Sequence, residues 1–186
     1  NKTIELYKSS NFPFDWQWQM NLMENVTAVD TTLYFDNGKW WMFVNLVEND
    51  GASSLDELYL FYSDHFQSNQ WHPHKKNPIV SDIKNARPAG AIFLMNNKVY
   101  RPAQNCSHRY GYGFNINRIE RLNDIEFEEE LITSVKPNWE KDLLATHTFS
   151  KVNRLHVIDG LRKKLKWPLA SHLFTESDKK CANINK

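Results

Sequence analysis

Short runs of apolar, aromatic and β-branched residues recur along the chain, each closed by polar turn residues and followed by a second run of the same kind. That is the pattern of β-hairpins, and three of them align. The first reads Asp30-Thr-Thr-Leu-Tyr-Phe35, then the turn Asp36-Asn37-Gly38-Lys39, then Trp40-Trp-Met-Phe-Val44. The second reads Arg87-Pro-Ala-Gly-Ala-Ile-Phe-Leu-Met95, turns at Asn96-Asn97 and returns as Lys98-Val-Tyr-Arg-Pro-Ala103. The third is Thr146-His-Thr-Phe-Ser150, a turn through Val152 and Asn153, and Leu155-His-Val-Ile158. Asp-Asn-Gly and Asn-Asn supply the residues that tolerate positive φ in a tight hairpin turn. Asp30 and Arg87 are 57 residues apart and Arg87 and Thr146 are 59 apart, so the spacing holds through loops of different composition.

Between the hairpins lies a second pair of predicted strands. One pair is Glu57-Leu-Tyr-Leu-Phe-Tyr-Ser63 followed by Trp71; the other is Tyr112-Gly-Phe-Asn-Ile-Asn117 followed by Phe127-Glu-Glu-Glu-Leu-Ile132. The opening residues fit the same half-unit, Ile4-Glu-Leu-Tyr-Lys-Ser9 and then Trp16 and Trp18. Four short antiparallel strands in each unit, with no helical stretch between, predict an all-β fold built of four-stranded antiparallel blades, a β-propeller. Three to three and a half units over residues 1–162 make an incomplete ring, with further blades expected before Asn1. Beyond Gly160 the pattern stops, and residues 163–186 are predicted as a basic and then polar tail.

Composition narrows the function. Lys and Arg number 23 against 22 Asp and Glu, a net charge of +1, which argues against a surface made to neutralise nucleic-acid phosphates or anionic lipid. No apolar run reaches the roughly 18–20 residues of a membrane span. The two cysteines, Cys106 and Cys181, form neither a disulfide framework nor a zinc motif, and favour a reducing, cytoplasmic setting. The abundance of aromatics, 11 Phe, 7 Tyr and 7 Trp with only 6 Gly, suits packed sheets.

In a propeller the starts of the innermost strands and the ends of the second strands converge at one mouth, because each pair is antiparallel. Here the starts are Asp30, Arg87 and Thr146-His147, and the ends fall near Asn45 and Glu48, Gln104-Asn105, and Asp159. All are polar, as a ligand pocket framed by apolar sheets requires. Asp30 is either a carboxylate desolvated at a buried strand or a turn former bonded to nearby backbone. Arg87 and Arg101 sit in two Arg-Pro-Ala segments, expected to bring two guanidinium groups together for a carboxylate, a phosphate or sugar hydroxyls. His147 heads an inner strand and titrates near neutral pH when unperturbed. Trp71-His-Pro-His74 lacks a third ligand for a metal site. No P-loop, G-x-G-x-x-G or G-x-S-x-G motif occurs.

Several of these segments carry a resemblance: Ala28-Val-Asp-Thr-Thr-Leu33, Lys39-Trp-Trp-Met-Phe43, Glu57-Leu-Tyr-Leu-Phe-Tyr-Ser-Asp64, Ala86-Arg-Pro-Ala-Gly90, Arg101-Pro-Ala-Gln-Asn-Cys-Ser107, Tyr110-Gly-Tyr112 and Thr146-His-Thr148. Over residues 3–162 the chain resembles the five-bladed propellers related to glycoside hydrolase families 32 and 43. It is most similar to the propeller domain of glucosamine inositolphosphorylceramide transferase proteins and their bacterial, formyltransferase-fused relatives. The resemblance implies a carbohydrate-handling propeller, with a sugar or sugar phosphate as ligand, a transferase domain as a fused or separate partner, and no cofactor. In the hydrolase relatives three carboxylates act as base or nucleophile, pKa modulator and acid. Asp30 matches one of the first two, whereas Arg87 stands where the acid is expected and Asn105 where the closer relatives are acidic.

Three functions follow as expectations. The first is a binding propeller of glycan or glycolipid biosynthesis, with Asp30, Arg87, Arg101, Gln104, Asn105 and His147 around a central pocket. The second is a family-43-like glycosidase using Asp30 with Glu48 or Asp159 as the acid. The third is a protein-interaction propeller with a vestigial site.

Overall fold

A computed structural model of the chain describes residues 2–163, so the predicted tail lies outside the described residues apart from its first position. Every element among the described residues is a β-strand. β1 (Thr3–Asn11) and β2 (Phe14–Glu24) form a hairpin. β3 (Thr27–Asp36), β4 (Lys39–Val47), β5 (Glu57–Ser63) and β6 (His72–Pro73) follow in order across a second antiparallel sheet, and β7 (Val80–Ser81) pairs with β5 as well. β8 (Phe93–Met95), β9 (Lys98–Asn105), β10 (Gly113–Leu122) and β11 (Phe127–Val135) make the third sheet, also in chain order. In the last unit β12 (Leu143–Ala145) pairs with β15 (Leu161–Arg162), and β13 (Phe149–Val152) with β14 (Leu155–Ile158). Sheets of consecutive antiparallel strands packed one on the next form the arc of a β-propeller, as the repeat predicts.

The packing explains the sequence pattern. Met42 and Val44 of β4 join Ile4, Leu22, Phe61 and Trp71 in the core between the first hairpin and the second sheet. Trp41 and Phe43 point the other way, into the core with Leu58, Leu60 and Phe127 that joins the second sheet to the third. Alternate side chains of one strand therefore enter two different cores, and a strand buried on both faces reads as the unbroken run Trp-Trp-Met-Phe-Val. Each of these fully buried Leu or Phe side chains contributes about 1.5–3 kcal/mol. A third core, Ala89, Tyr100, Phe114 and Ile116, receives Phe149 from the last unit. At the hairpin tips Asn37 and Gly38 (φ 49° and 79°) and Asn96 and Asn97 (φ 51° and 57°) adopt the predicted left-handed conformation.

One predicted strand is broken. The run from Arg87 to Met95 is not continuous: Pro88 makes a single bridge to Ala103, and regular pairing resumes only at Phe93. Pro88 has no N–H for the ladder, and the Ala89 carbonyl is taken by the N–H of Phe149, 2.8 Å away. Gly90 (φ 149°) permits that approach, since a Cβ there would lie 2.0 Å from the Phe149 oxygen. The break thus docks the last unit onto the third sheet.

Candidate functional site

Asp30 does not stand at the start of a strand as expected. It lies inside β3, where Asp30 and Thr31 together oppose the single residue Val44 between the pairs Val29–Asn45 and Thr32–Phe43. Such a bulge redirects a side chain away from the regular alternation. Asp30 adopts φ 52° there, a conformation that short polar side chains tolerate best after glycine.

The redirected carboxylate meets the third sheet. Arg87 Nε donates to Asp30 Oδ2 at 2.6 Å, and Gln104 Nε2 donates to the same oxygen at 2.9 Å. Gln104 uses its second amide proton on the Pro88 carbonyl at 2.9 Å. Among the described residues nothing bonds Asp30 Oδ1. Arg87 is buried; its Nη1 reaches Ser54 in the connection between β4 and β5, and its guanidinium lies 4.8 Å over the Tyr110 ring. Tyr110 in turn meets the His147 ring edge to face at 5.5 Å. Gly111 (φ 65°) allows that contact, because a Cβ would come within 2.9 Å of His147.

His147 is held by Asp159. Its Nδ1 donates to Asp159 Oδ2 at 2.6 Å, while Oδ1 accepts the N–H groups of His147 and Thr148 at 2.8 and 2.7 Å and the Thr148 hydroxyl at 2.9 Å. Burial pushes the Asp159 carboxyl up, but these bonds and the neighbouring imidazole together hold it below the usual carboxylate range. A contiguous series, Asp30, Arg87, Tyr110, His147, Asp159, crosses three units of the propeller. It borders a cleft of about 290 Å³ lined by Asp30, Thr31, Gln104, Tyr110, His147 and Thr148 among others.

The other expected residues lie elsewhere. Arg101 is 1% exposed and bonds Glu129 with Nε and Nη2 at 2.8 and 2.6 Å, with Nη2 also reaching the Asn85 carbonyl. Three positions separate it from Gln104, so strand alternation sends the two to opposite faces of β9, and the expected pair of guanidinium groups does not form. Arg87 itself does not line the cleft but stands behind Asp30 and Tyr110. Asn105 closes a turn, its Oδ1 accepting the N–H and hydroxyl of Ser107 at 3.1 and 2.7 Å. Glu48 accepts from the Tyr59 hydroxyl at 2.5 Å and lines a separate cleft with Lys2, Asn25 and Asp50. Asp159 lies behind His147, against a neighbouring hollow bordered by Arg109 and Leu161.

His72 and His74, in the segment that lacked a third metal ligand, have different neighbours. His72 packs on Tyr62 at 5.5 Å, and β6 ends before His74, whose Nε2 donates to the Asn123 carbonyl at 2.9 Å. Cys106 is buried, and burial pushes its thiol up, away from nucleophilic use. Tyr110, Thr148, Thr31, Thr32 and Ser150 also line the cleft and are not among the residues expected from the sequence. The Gly111 beside Tyr110, one of only 6 glycines, was the available signal. Among the described residues no group of three His, Cys, Asp or Glu could hold a metal, and no helix is long and apolar enough to cross a membrane.

A family described as "Glucosamine inositolphosphorylceramide transferase 1, N-terminal" matches residues 1–165. Glucosamine inositolphosphorylceramide transferase 1 of Oryza sativa subsp. japonica is 32% identical over 130 residues, 69% of this chain and 17% of that protein. The protein of the same name from Arabidopsis thaliana is 31% identical over 128 residues, 68% of this chain and 16% of its own length. The chain therefore spans about one sixth of these relatives. Among solved structures, an exo-β-1,3-galactanase from Phanerochaete chrysosporium, crystallised with β-1,3-galactotriose, superposes with a TM-score of 0.55 at 13% identity. The match covers 88% of this chain and 38% of that one, and it shows the shared fold alone.

Proposed function

The chain belongs to the family of the N-terminal region of glucosamine inositolphosphorylceramide transferase 1, and from that premise we propose that it is a carbohydrate-binding propeller of glycan or glycolipid biosynthesis whose cleft holds a sugar. The relatives are named as glucosamine inositolphosphorylceramide transferases, and the propeller's part is to hold the sugar of a donor, acceptor or product for a transferase domain, fused or separate. One observation carries the reading: Asp30, Gln104 and His147, from three successive units, line a single cleft. Asp30 Oδ1 accepts from a sugar hydroxyl, and the Tyr110 ring, half exposed, offers an apolar face to the pyranose.

A glycosidase reading draws on the same Asp30. It requires a second carboxylate about 5–9.5 Å away across the scissile bond, whereas Asp159 is bound behind His147 and Glu48 lines another cleft.

Titration of the full chain with a panel of monosaccharides and methyl glycosides, followed by ligand-observed NMR and calorimetry, tests the proposal. A hydrogen bond to a charged group is worth about 1.5–3 kcal/mol, so Asp30→Asn should weaken binding by about 10- to 100-fold, and Glu48→Gln should leave it unchanged. Binding that ignores Asp30→Asn removes the cleft from the reading. Release of an aryl-glycoside product that Asp30→Asn abolishes would favour the glycosidase, and absence of both binding and turnover would favour a protein-interaction role.

A further inference from the structure

The cleft has a bias in hydrogen-bonding character. Among the described residues no lysine or arginine lines it. Arg87, the nearby cation, has its Nε on Asp30, its Nη1 on Ser54 and its face on Tyr110. Gln104 has both amide protons engaged, on Asp30 Oδ2 and on the Pro88 carbonyl. Thr148, which lines the cleft, directs its hydroxyl proton to Asp159, so its oxygen is left as an acceptor. The hydroxyls of Thr31, Ser150 and Tyr110 serve either as donors or as acceptors.

His147 extends that bias. Asp159 Oδ1 is occupied by two backbone N–H groups and a hydroxyl, so only Oδ2 is left for the imidazole. A carboxylate accepts and does not donate, so the proton of the neutral ring sits on Nδ1 and Nε2 presents a lone pair. Nothing among the described residues bonds Nε2, and His147 lines the cleft as well as the adjoining hollow. Asp30, His147 and Thr148 line one space, and each carries an acceptor, Oδ1, Nε2 and Oγ1 respectively, with lone pairs that no other group among the described residues takes up. A phosphate brings only acceptors and negative charge to such a place; Arg87 is already paired with Asp30 from behind, and among the described residues the lining holds no further cation to meet the phosphate. Sugar hydroxyls, or the ammonium of an amino sugar, bring donors.

We propose that Asp159, by fixing the tautomer of His147, makes the cleft selective for unphosphorylated sugars, whose hydroxyl or ammonium groups donate to His147 Nε2 and Asp30 Oδ1, and makes it reject sugar phosphates. The inference rests on the carbohydrate-binding reading and names the ligand class of the same cleft. Asp159 acts here as a positioning residue, since it meets the ligand only through His147.

The test is titration of the full chain at pH 8 with methyl glucoside, glucosamine and glucose 6-phosphate, with inorganic phosphate as competitor, alongside ¹⁵N NMR of the His147 ring. The expected result is binding of the first two, at least tenfold weaker binding of the phosphorylated sugar, no competition from millimolar phosphate, and an Nδ1–H tautomer. In Asp159→Asn, Oδ1 still accepts the backbone N–H groups while the amide donates to Nδ1, so Nε2 becomes the protonated nitrogen. That variant should show the exchanged tautomer and lose most of the tenfold discrimination. Sugar binding with equal affinity for glucose 6-phosphate, or an Nε2–H ring in the unsubstituted chain, would overturn the selectivity and leave the parent reading standing. Failure of every sugar to bind would overturn both.

Discussion

Arg87 Nε lies 2.6 Å from Asp30 Oδ2, joining residues 57 apart in sequence and on neighbouring sheets into one ion pair behind the cleft. The arginine side chain is 10% exposed and the aspartate 36%, so the pair sits at the boundary between protein and solvent. Its role is to hold the carboxylate still while leaving Oδ1 free.

Arg87→Met should therefore destabilise the fold as well as weaken any ligand. Breaking a buried ion pair costs about 3–5 kcal/mol; screening at the exposed aspartate reduces this to about 1–2 kcal/mol. Urea denaturation of Arg87→Met, Asp30→Asn and the double variant should give a coupling energy of the same order, and strict additivity would mean that the two residues act independently.

Arg101 should behave as a purely structural residue. It is enclosed with Glu129, Asn85 and Asn117 between the second and third sheets, so Arg101→Met strands a buried carboxylate and should cost about 3–5 kcal/mol. Arg118→Met, on the exposed ladder with Glu120 and Glu130, should cost no more than about 1 kcal/mol. Thermal melts of the two variants side by side decide the point. Sugar affinity of whatever Arg101→Met remains folded should be unchanged.

Gly90→Ala should separate the last unit from the third sheet. The added methyl would lie 2.0 Å from the Phe149 oxygen, whereas Gly51 (φ 89°) has open space around it. Gly51→Ala should lower stability by about 1 kcal/mol through backbone conformation alone. Gly90→Ala should cost clearly more and should increase hydrogen exchange at the Phe149 amide; equal losses in the two variants would contradict the docking role.

His74 should make stability fall on mild acidification. Burial is the main reason that its imidazole is held below the ordinary value, and its Nδ1 is already occupied by the N–H of Lys76 at 3.1 Å. The unfolded chain takes up the proton at about pH 6.5, before the folded one does. The neutral ring's contribution is thus complete above that pH and is lost as pH falls from there through the lower folded value, at up to about 1.4 kcal/mol per pH unit. Urea midpoints between pH 7.5 and 5 should drop less steeply in His74→Gln, and parallel pH profiles would assign the acid sensitivity to other groups.

Much of the fold was legible because hairpins are local. Asn37-Gly38 and Asn96-Asn97 announce their turns through positive φ, and the unbroken run of β4 announces a strand covered on both faces. The site was legible only in part. Period-two alternation, applied to β9, already separates Arg101 from Gln104, but which face looks toward the cleft depends on the neighbouring sheets. The bulge at Asp30 left no such trace, since an aspartate among apolar residues fits a turn or a strand equally well.

Hydrophobic periodicity and turn chemistry by themselves determined that this chain forms repeated antiparallel sheets and that Asp30, Arg87 and Thr146-His147 recur at a near-constant spacing. Tertiary structure alone decided that Asp30 and His147 line the cleft while Arg87 supports Asp30 from behind and Arg101 belongs to a buried network with Glu129 and Asn85. The physical reason is the range of the interactions. Strand period and turn φ are set within a few residues, whereas the partner of a carboxylate or an imidazole is set by how whole sheets pack, through contacts between residues dozens of positions apart.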